Sequence, residues 1–286
     1  MMSIVPVAVI SLRGTVRSKC ARNPRVNSGD AKLNVAPRSG SELAQQISDA
    51  LRESVAPRGF YGGLLRDAFA SERPPFASAE YGELYRERSA DPKWLALSIV
   101  TNAQKEAEGA NVLWKLAGEV GDPDIAREVH RHAVDESNHA LYYVKLLELA
   151  FPDAADEDVE RELNAISPRY SMRDVPEAAE VSDSVSVTLD EMVQMNLGEI
   201  RTRIHQQLIR PVLRRCAPKE NLGKIEGVLD TLVRDETRHI GYTARVLERM
   251  ADSGRADDVR ALMHHRYRQF CALTRDELES SLFEGA

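Results

Sequence analysis

The sequence predicts an all-α protein, and three observations carry that prediction. Helix-start signals recur along the chain, two of them an Asp followed by Pro (Asp91-Pro92 and Asp122-Pro123). Strand-like alternation is confined to Val181 to Val187. Two Asp-Glu-x-x-His pentads, at Asp135–His139 and Asp235–His239, lie one hundred residues apart, each inside a long stretch of helical periodicity.

The elements follow in order. From Ser41, Glu-Leu-Ala-Gln-Gln-Ile-Ser-Asp-Ala-Leu carries apolar residues at helical spacing, and a turn is expected around Pro57-Arg58-Gly59. Pro74-Pro75 breaks the chain, and Ser78 is placed to cap a short helix through Tyr81, Leu84 and Tyr85. Asp91-Pro92 and Asp122-Pro123 open two long helices ending near Gly118 and Ala150. Thr188-Leu189-Asp190-Glu191 has the capping-box form and should open a third, running to about Cys216 with a kink at Pro211. Pro218 should start a fourth, stopped by Gly254, and a last helix is expected from Ala256 to about Leu282.

These four long helices form a core at about residues 92–250, inside a single domain spanning 41–286. Residues 1–40 are set apart: between Arg13 and Arg38 they are rich in Arg and Ser, with Asp30 the only acid, as in a loosely held basic extension. The formal charge of -7 gives no reason to expect nucleic-acid binding. No stretch has the roughly 18 apolar residues of a membrane span. Cys20, Cys216 and Cys271 are an odd, widely spaced set, which reads as reduced thiols in the cytoplasm.

A Glu and a His three apart project from one helical face, one turn from each other. Glu136 and His139 share theirs with Val129, Ala133, Tyr143 and Leu146, so that face points inward. On the first long helix, Glu106 lies with Ile99, Ala103, Ala110 and Leu113, while Glu108 lies with Thr101, Gln104, Asn111 and Lys115. Glu106 is therefore the candidate ligand and Glu108 the solvated acid. On the third helix the candidate is Glu199, one turn from Met192, Met195 and Asn196 on a face that Arg203 and Gln206 make unusually polar. Four carboxylates and two imidazoles suit iron or manganese. Asp135 and Asp235 fit as hydrogen-bond acceptors that fix a ligand histidine, that of their own pentad or of the opposite one.

Glu106, Glu136-x-x-His139, Glu199 and Glu236-x-x-His239 resemble the four-Glu, two-His site of ferritin-like di-iron carboxylate proteins, over about residues 92–250. The separations of 30, 63 and 37 residues between successive glutamates are similar to theirs. Arg234 to Tyr242 looks most like the ribonucleotide reductase small subunit and its oxidase relatives, and the Asp before each Glu-x-x-His is similar to bacterial di-iron monooxygenases. The resemblance implies a ferritin-like four-helix bundle with flanking helices, the linker after Ala150 serving as its crossover. It also implies two iron ions (manganese possible at one position), O2 as co-substrate and a small organic substrate that is hydroxylated, N-oxygenated or desaturated. No nicotinamide or flavin fingerprint is visible, so electrons would come from a separate reductase or ferredoxin; a homodimer is compatible with all of this. A radical-generating subunit and an iron-storage ferroxidase are the competing readings.

Six further positions bear on the choice. Tyr143 matches the radical-bearing tyrosine of the reductase subunit and reads either as redox-active or as a buried hydrogen-bonding group. The positions that the oxidase relatives crosslink are Glu108 and Gln194 here, which removes that chemistry. Leu232 stands where related arylamine N-oxygenases carry an added histidine. His132, one turn before Glu136, reads as a satisfied core or rim histidine. Arg203, one turn beyond Glu199, needs an acceptor: an acid on a neighbouring helix, or the carboxylate or phosphate of a substrate.

Overall fold

A computed structural model describes residues 39–52, 59–152 and 184–279. The regular elements among them are all helical: α1 (Gly40–Arg52), α2 (Gly59–Ser71), α3 (Ala79–Arg88), α4 (Pro92–Glu119), α5 (Pro123–Ala150), α6 (Ser184–Cys216), α7 (Leu222–Met250) and α8 (Ala256–Glu279). The basic extension up to residue 38, the turn at Pro57, residues 153–183 of the expected crossover and the end of the last helix beyond 279 lie outside the described residues.

The two Asp-Pro starts behave as their chemistry requires. Asp91 accepts a hydrogen bond from the Lys93 amide at 2.9 Å, and Asp122 accepts from Asp124 and Ile125 at 2.9 and 3.1 Å. Each cap satisfies amides that the first turn leaves without partners, worth about 1 kcal/mol apiece. Ser78 caps α3 through the Tyr81 amide at 3.0 Å. At the far end of α5, the Phe151 amide donates to Leu147 and the Asn221 side chain donates to the Leu149 carbonyl at 2.9 Å. That last bond ties the end of α5 to the start of α7.

Two boundaries differ from expectation. α6 begins at Ser184, so Thr188 lies inside the helix instead of capping it, and Val185 and Val187 are helical rather than strand-like. Tertiary contacts outweigh the local capping signal: Thr188 and Leu189 are buried, and Asp190 pairs with Arg266 of α8. The helix runs on through Pro211. The fourth long helix begins at Leu222, because Lys219–Asn221 form a separate 3-10 turn after Pro218. Gly254 has φ 93° in the turn between α7 and α8, a left-handed conformation that glycine adopts without a Cβ clash.

α4 packs against α5, α6 against α7, and α5 against α7, which brings the apolar stripes of the long helices into one core. α1 and α2 pack on each other and on α7, while α8 packs on α6 and α2. A buried polar network fixes the flanking layer. The Tyr61 hydroxyl donates to Asn196 Oδ1 at 2.8 Å, and Asn196 Nδ2 donates to Thr243 Oγ1 at 2.9 Å and to the Ile240 carbonyl at 3.3 Å. Just past the C-terminal end of α2, the Tyr267 hydroxyl donates to the Glu72 carbonyl at 2.7 Å. The chain is therefore an all-α bundle in which the long helices are held in fixed register by caps and buried hydrogen bonds.

Candidate metal centre

The buried stripe of α5 contains Ile125, Val129, Ala133, Ala140, Leu146 and Leu147, spaced as a core-facing helix requires. His132, Glu136, His139 and Tyr143 interrupt that stripe, all of them buried. α7 does the same, with Glu236 and His239 set among Ile225, Leu229, Leu232, Ile240 and Leu247. α4 contributes Glu106 and α6 contributes Glu199, each retaining slight exposure, while Glu108 is exposed. Buried carboxylates and imidazoles cost several kcal/mol unless something compensates them, so their convergence demands a partner.

The donor atoms form two groups: His132, Glu136, Glu199 and His239 in one, Glu106, His139 and Glu236 in the other. Within each, one ligand atom per residue lies within 4.8 Å of all the others. His132 Nε2 is 3.1 Å from Glu199 Oε1 and 3.3 Å from Glu136 Oε1. His139 Nδ1 is 3.2 Å from Glu136 and 3.5 Å from Glu236; His239 Nδ1 is 3.2 Å from Glu236, 3.5 Å from Glu136 and 3.7 Å from Glu199. Ligands about 2.1 Å from one ion sit about 3.0 Å apart at adjacent octahedral corners and about 3.4 Å apart at tetrahedral ones. Most of the spacings match the edges of a coordination polyhedron. His132 Nε2, His139 Nδ1 and Glu136 Oε1 also have no aligned hydrogen-bond partner, although each lies near opposite charge. Close approach without alignment is the arrangement of donors that share a cation, and the residues present fit a metal ion.

Beyond the donors, the two pentads cross-brace. Asp135 Oδ2 lies 3.3 Å from Nε2 of His239, and Asp235 Oδ2 lies 3.5 Å from Nε2 of His139. Each aspartate thus meets the histidine of the opposite helix, and both histidines turn Nδ1 toward the carboxylates. Asp135 also pairs with Arg238, whose other nitrogen approaches Glu128 at 3.7 Å. Gln206 Nε2 donates to Glu236 Oε1 at 2.7 Å. In the sequence, Gln206 is an isolated Gln on a polar helical face and gives no metal-spacing signal. His132 reads there as a satisfied core or rim histidine, because two of its three neighbours in the cluster, Glu199 and His239, lie on other helices.

Burial and mutual repulsion divide the carboxylates. Glu106 is pushed well up by burial and by the Glu136 carboxylate, and Glu236 by burial and Glu199. Burial would also raise Glu136 and Glu199, but His139 carries Glu136 well down, and His132 does the same for Glu199. Tyr143 is pushed well up by burial and then by the Glu106 and Glu236 carboxylates, which holds it as a neutral phenol. Arg203 donates from Nε to Thr237 Oγ1 at 3.0 Å, and among the described residues no carboxylate lies within ion-pair distance of it. Burial lowers the Arg203 pKa, and the Glu236 carboxylate opposes that shift without forming an ion pair. His205 sits apart, edge-on to Tyr85 with ring centroids 5.1 Å apart.

No protein-family model, no curated protein and no solved structure matches the chain. The functional reading therefore rests on the residues themselves. Among the described residues no helix is long and apolar enough to cross a membrane.

Proposed function

We propose that the chain is an O2-dependent oxidoreductase of the ferritin-like di-iron carboxylate type, oxidising a small organic substrate by hydroxylation, N-oxygenation or desaturation. The observation that carries this reading is the convergence of buried carboxylate and imidazole donors from four long helices into two adjoining groups. Charge supports it as well. The groups contain four glutamates, formally -4, which two divalent ions would balance at +4 with the histidines neutral. A bound pair of iron ions would supply the O2-reducing chemistry.

The chain's own residues supply the setting. Glu136, with an oxygen between His132 and His139, and Glu236, held by Gln206, would each supply a carboxylate oxygen to the ions. Asp135 and Asp235 hold the histidine rings so that Nδ1 faces the carboxylates. Tyr143, buried against Glu106 and Glu236, can hold or pass a proton at its hydroxyl. Arg203 keeps terminal guanidinium donors free beside the cluster, where a substrate carboxylate or phosphate would find bidentate partners.

The test is anaerobic loading with ferrous iron, followed by metal analysis and by O2 consumption with a chemical reductant. Two irons per chain and reductant-dependent O2 uptake are expected, both lost in His239→Ala. Well-folded protein that retains no iron would overturn the proposal, and tens of irons per chain would point to storage.

A further inference from the structure

The hundred-residue offset between the pentads makes α5 and α7 comparable position by position. Asp135, Glu136, His139 and Tyr142 correspond to Asp235, Glu236, His239 and Tyr242. Among the imidazoles the correspondence fails at one buried place: His132 on α5 matches Leu232 on α7, and both are fully buried. One side of the cluster therefore has an imidazole that the other lacks.

The surroundings of His132 fix its chemistry. Its ring stacks on that of His239, with centroids 3.6 Å apart and planes 29° apart. Nδ1 lies 2.9 Å from the Tyr242 hydroxyl oxygen. That hydroxyl also lies 3.7 Å from Met195 Sδ, a weak acceptor toward which its hydrogen can turn while its oxygen accepts from Nδ1–H. With its Nδ1 hydrogen kept on the ring, the imidazole can give Nε2 to a metal ion, which would take the place of a proton shared with Glu136 and Glu199. Nε2 is buried, has no aligned hydrogen-bond partner, and points between Glu136 and Glu199. A histidine whose only function was packing would have its inner nitrogen aligned with one acceptor; this one lies between two carboxylates and is aligned with neither.

We infer that His132 is a metal ligand through Nε2, oriented by Tyr242, and that it makes the two metal positions unequal. The inference rests on the reading that the cluster holds two divalent ions. One position is built from His132, Glu136, Glu199 and His239, with two imidazoles. The other, built from Glu106, His139 and Glu236, has one imidazole and one donor residue fewer. The four-donor position fills first and holds its ion more tightly. The three-donor position keeps more of its coordination sphere open, so exogenous ligands bind there.

The experiment titrates metal-free full-length chain with Mn(II) and follows free ion by EPR. At one equivalent, pulsed EPR counts the imidazole nitrogens on the bound ion. The parent should bind two ions in two classes at least tenfold apart, with two imidazoles at the first. In His132→Ala the tight class should weaken at least tenfold and the first ion should show one imidazole. Tyr242→Phe keeps the ring but removes the acceptor; it should keep two imidazoles while the tight class weakens several-fold. Two ions bound in His132→Ala with parental affinities and an unchanged nitrogen count would overturn the inference and leave the two-metal reading standing. A parent that binds no Mn(II) and no ferrous iron would overturn both. Should His132→Ala not fold, Tyr242→Phe decides: a tight class unchanged in affinity overturns the assignment, and a weakened one supports it.

Discussion

Replacing Asp135 with alanine tests whether each pentad braces the histidine of the other. Asp135 Oδ2 serves two groups at once, His239 Nε2 at 3.3 Å and the Arg238 guanidinium. Removing the acceptor leaves a buried imidazole N–H unpaired, which costs about 1–3 kcal/mol. Arg238, about one-fifth exposed, would keep only the long 3.7 Å contact to Glu128. The surface-facing share of that pair adds about 1 kcal/mol at most. Together these predict a loss of about 1–4 kcal/mol and a fall in Tm of about 2–16 °C. Metal affinity should drop about 10–100-fold as the ring of His239 loses its fixed orientation. Asp135→Asn retains an oxygen acceptor for His239 and loses the charge, so it should fall between alanine and parent. Asp235→Ala should cost less than Asp135→Ala, because its contact to His139 is longer, at 3.5 Å. Chelator competition on the loaded protein and thermal scans of the metal-free protein measure both effects. An Asp135→Ala variant with affinity within twofold of the parent and Tm within a degree would refute the bracing argument.

Two predictions concern the scaffold. Asn196→Leu strips the hydroxyl of Tyr61 and the carbonyl of Ile240 of a shared partner. It should cost about 2–4 kcal/mol, read as faster hydrogen exchange in α2 ahead of the long helices; uniform exchange across the bundle would show that the network does not anchor α2. His205 is pushed down to about 3 by burial, then by Arg201 and Lys105, so the folded protein favours the neutral ring. Because the folded value lies below the unfolded one of about 6.5, its contribution is fully present above pH 6.5 and is lost as pH falls toward 3. Full linkage is about 1.4 kcal/mol per pH unit, and the remaining exposure of the residue reduces the expected slope below about 1. His205→Phe should flatten urea-measured stability between pH 6.5 and 4, and an unchanged slope would assign that pH dependence to other groups.

The fold was legible where one local signal sufficed. Asp91-Pro92 and Asp122-Pro123 located two helix starts because an acidic cap followed by proline acts within four residues. Thr188 misled because the same motif can lie inside a helix when tertiary burial holds the preceding turn. The site was legible to the same degree. Periodicity separated Glu106 from Glu108, and the structure keeps that distinction, with Glu106 in the cluster and Glu108 exposed. What periodicity could not supply was anything that depends on which helix faces which. His132 owes its place to Glu199 and His239, and Gln206 to Glu236, across gaps of 67, 107 and 30 residues. Arg203 shows the same limit in reverse, since only the three-dimensional arrangement could show whether an acid lay within reach.

The polar breaks in the α5 stripe also explain why the surrounding bundle is so heavily pinned. A dry core helix with His132, Glu136, His139 and Tyr143 facing inward gains less from burial than one with four leucines there, and its Glu136 carboxylate repels those of α4 and α7. Left to a loose scaffold, such a cluster would relax by spreading the helices and admitting water. Several features oppose that spreading. Asn221 ties the end of α5 to the start of α7. The Asp135–Arg238 pair crosses between α5 and α7 at the level of the cluster. Asn196 joins α6 to α7 beneath the flanking helix α2. Side chains set on long helices and locked by such bonds hold their spacing better than side chains on loops. The same pins act on the pairs of helices whose donors lie 3.1–3.7 Å apart, which is where a cluster able to hold a metal ion needs its rigidity.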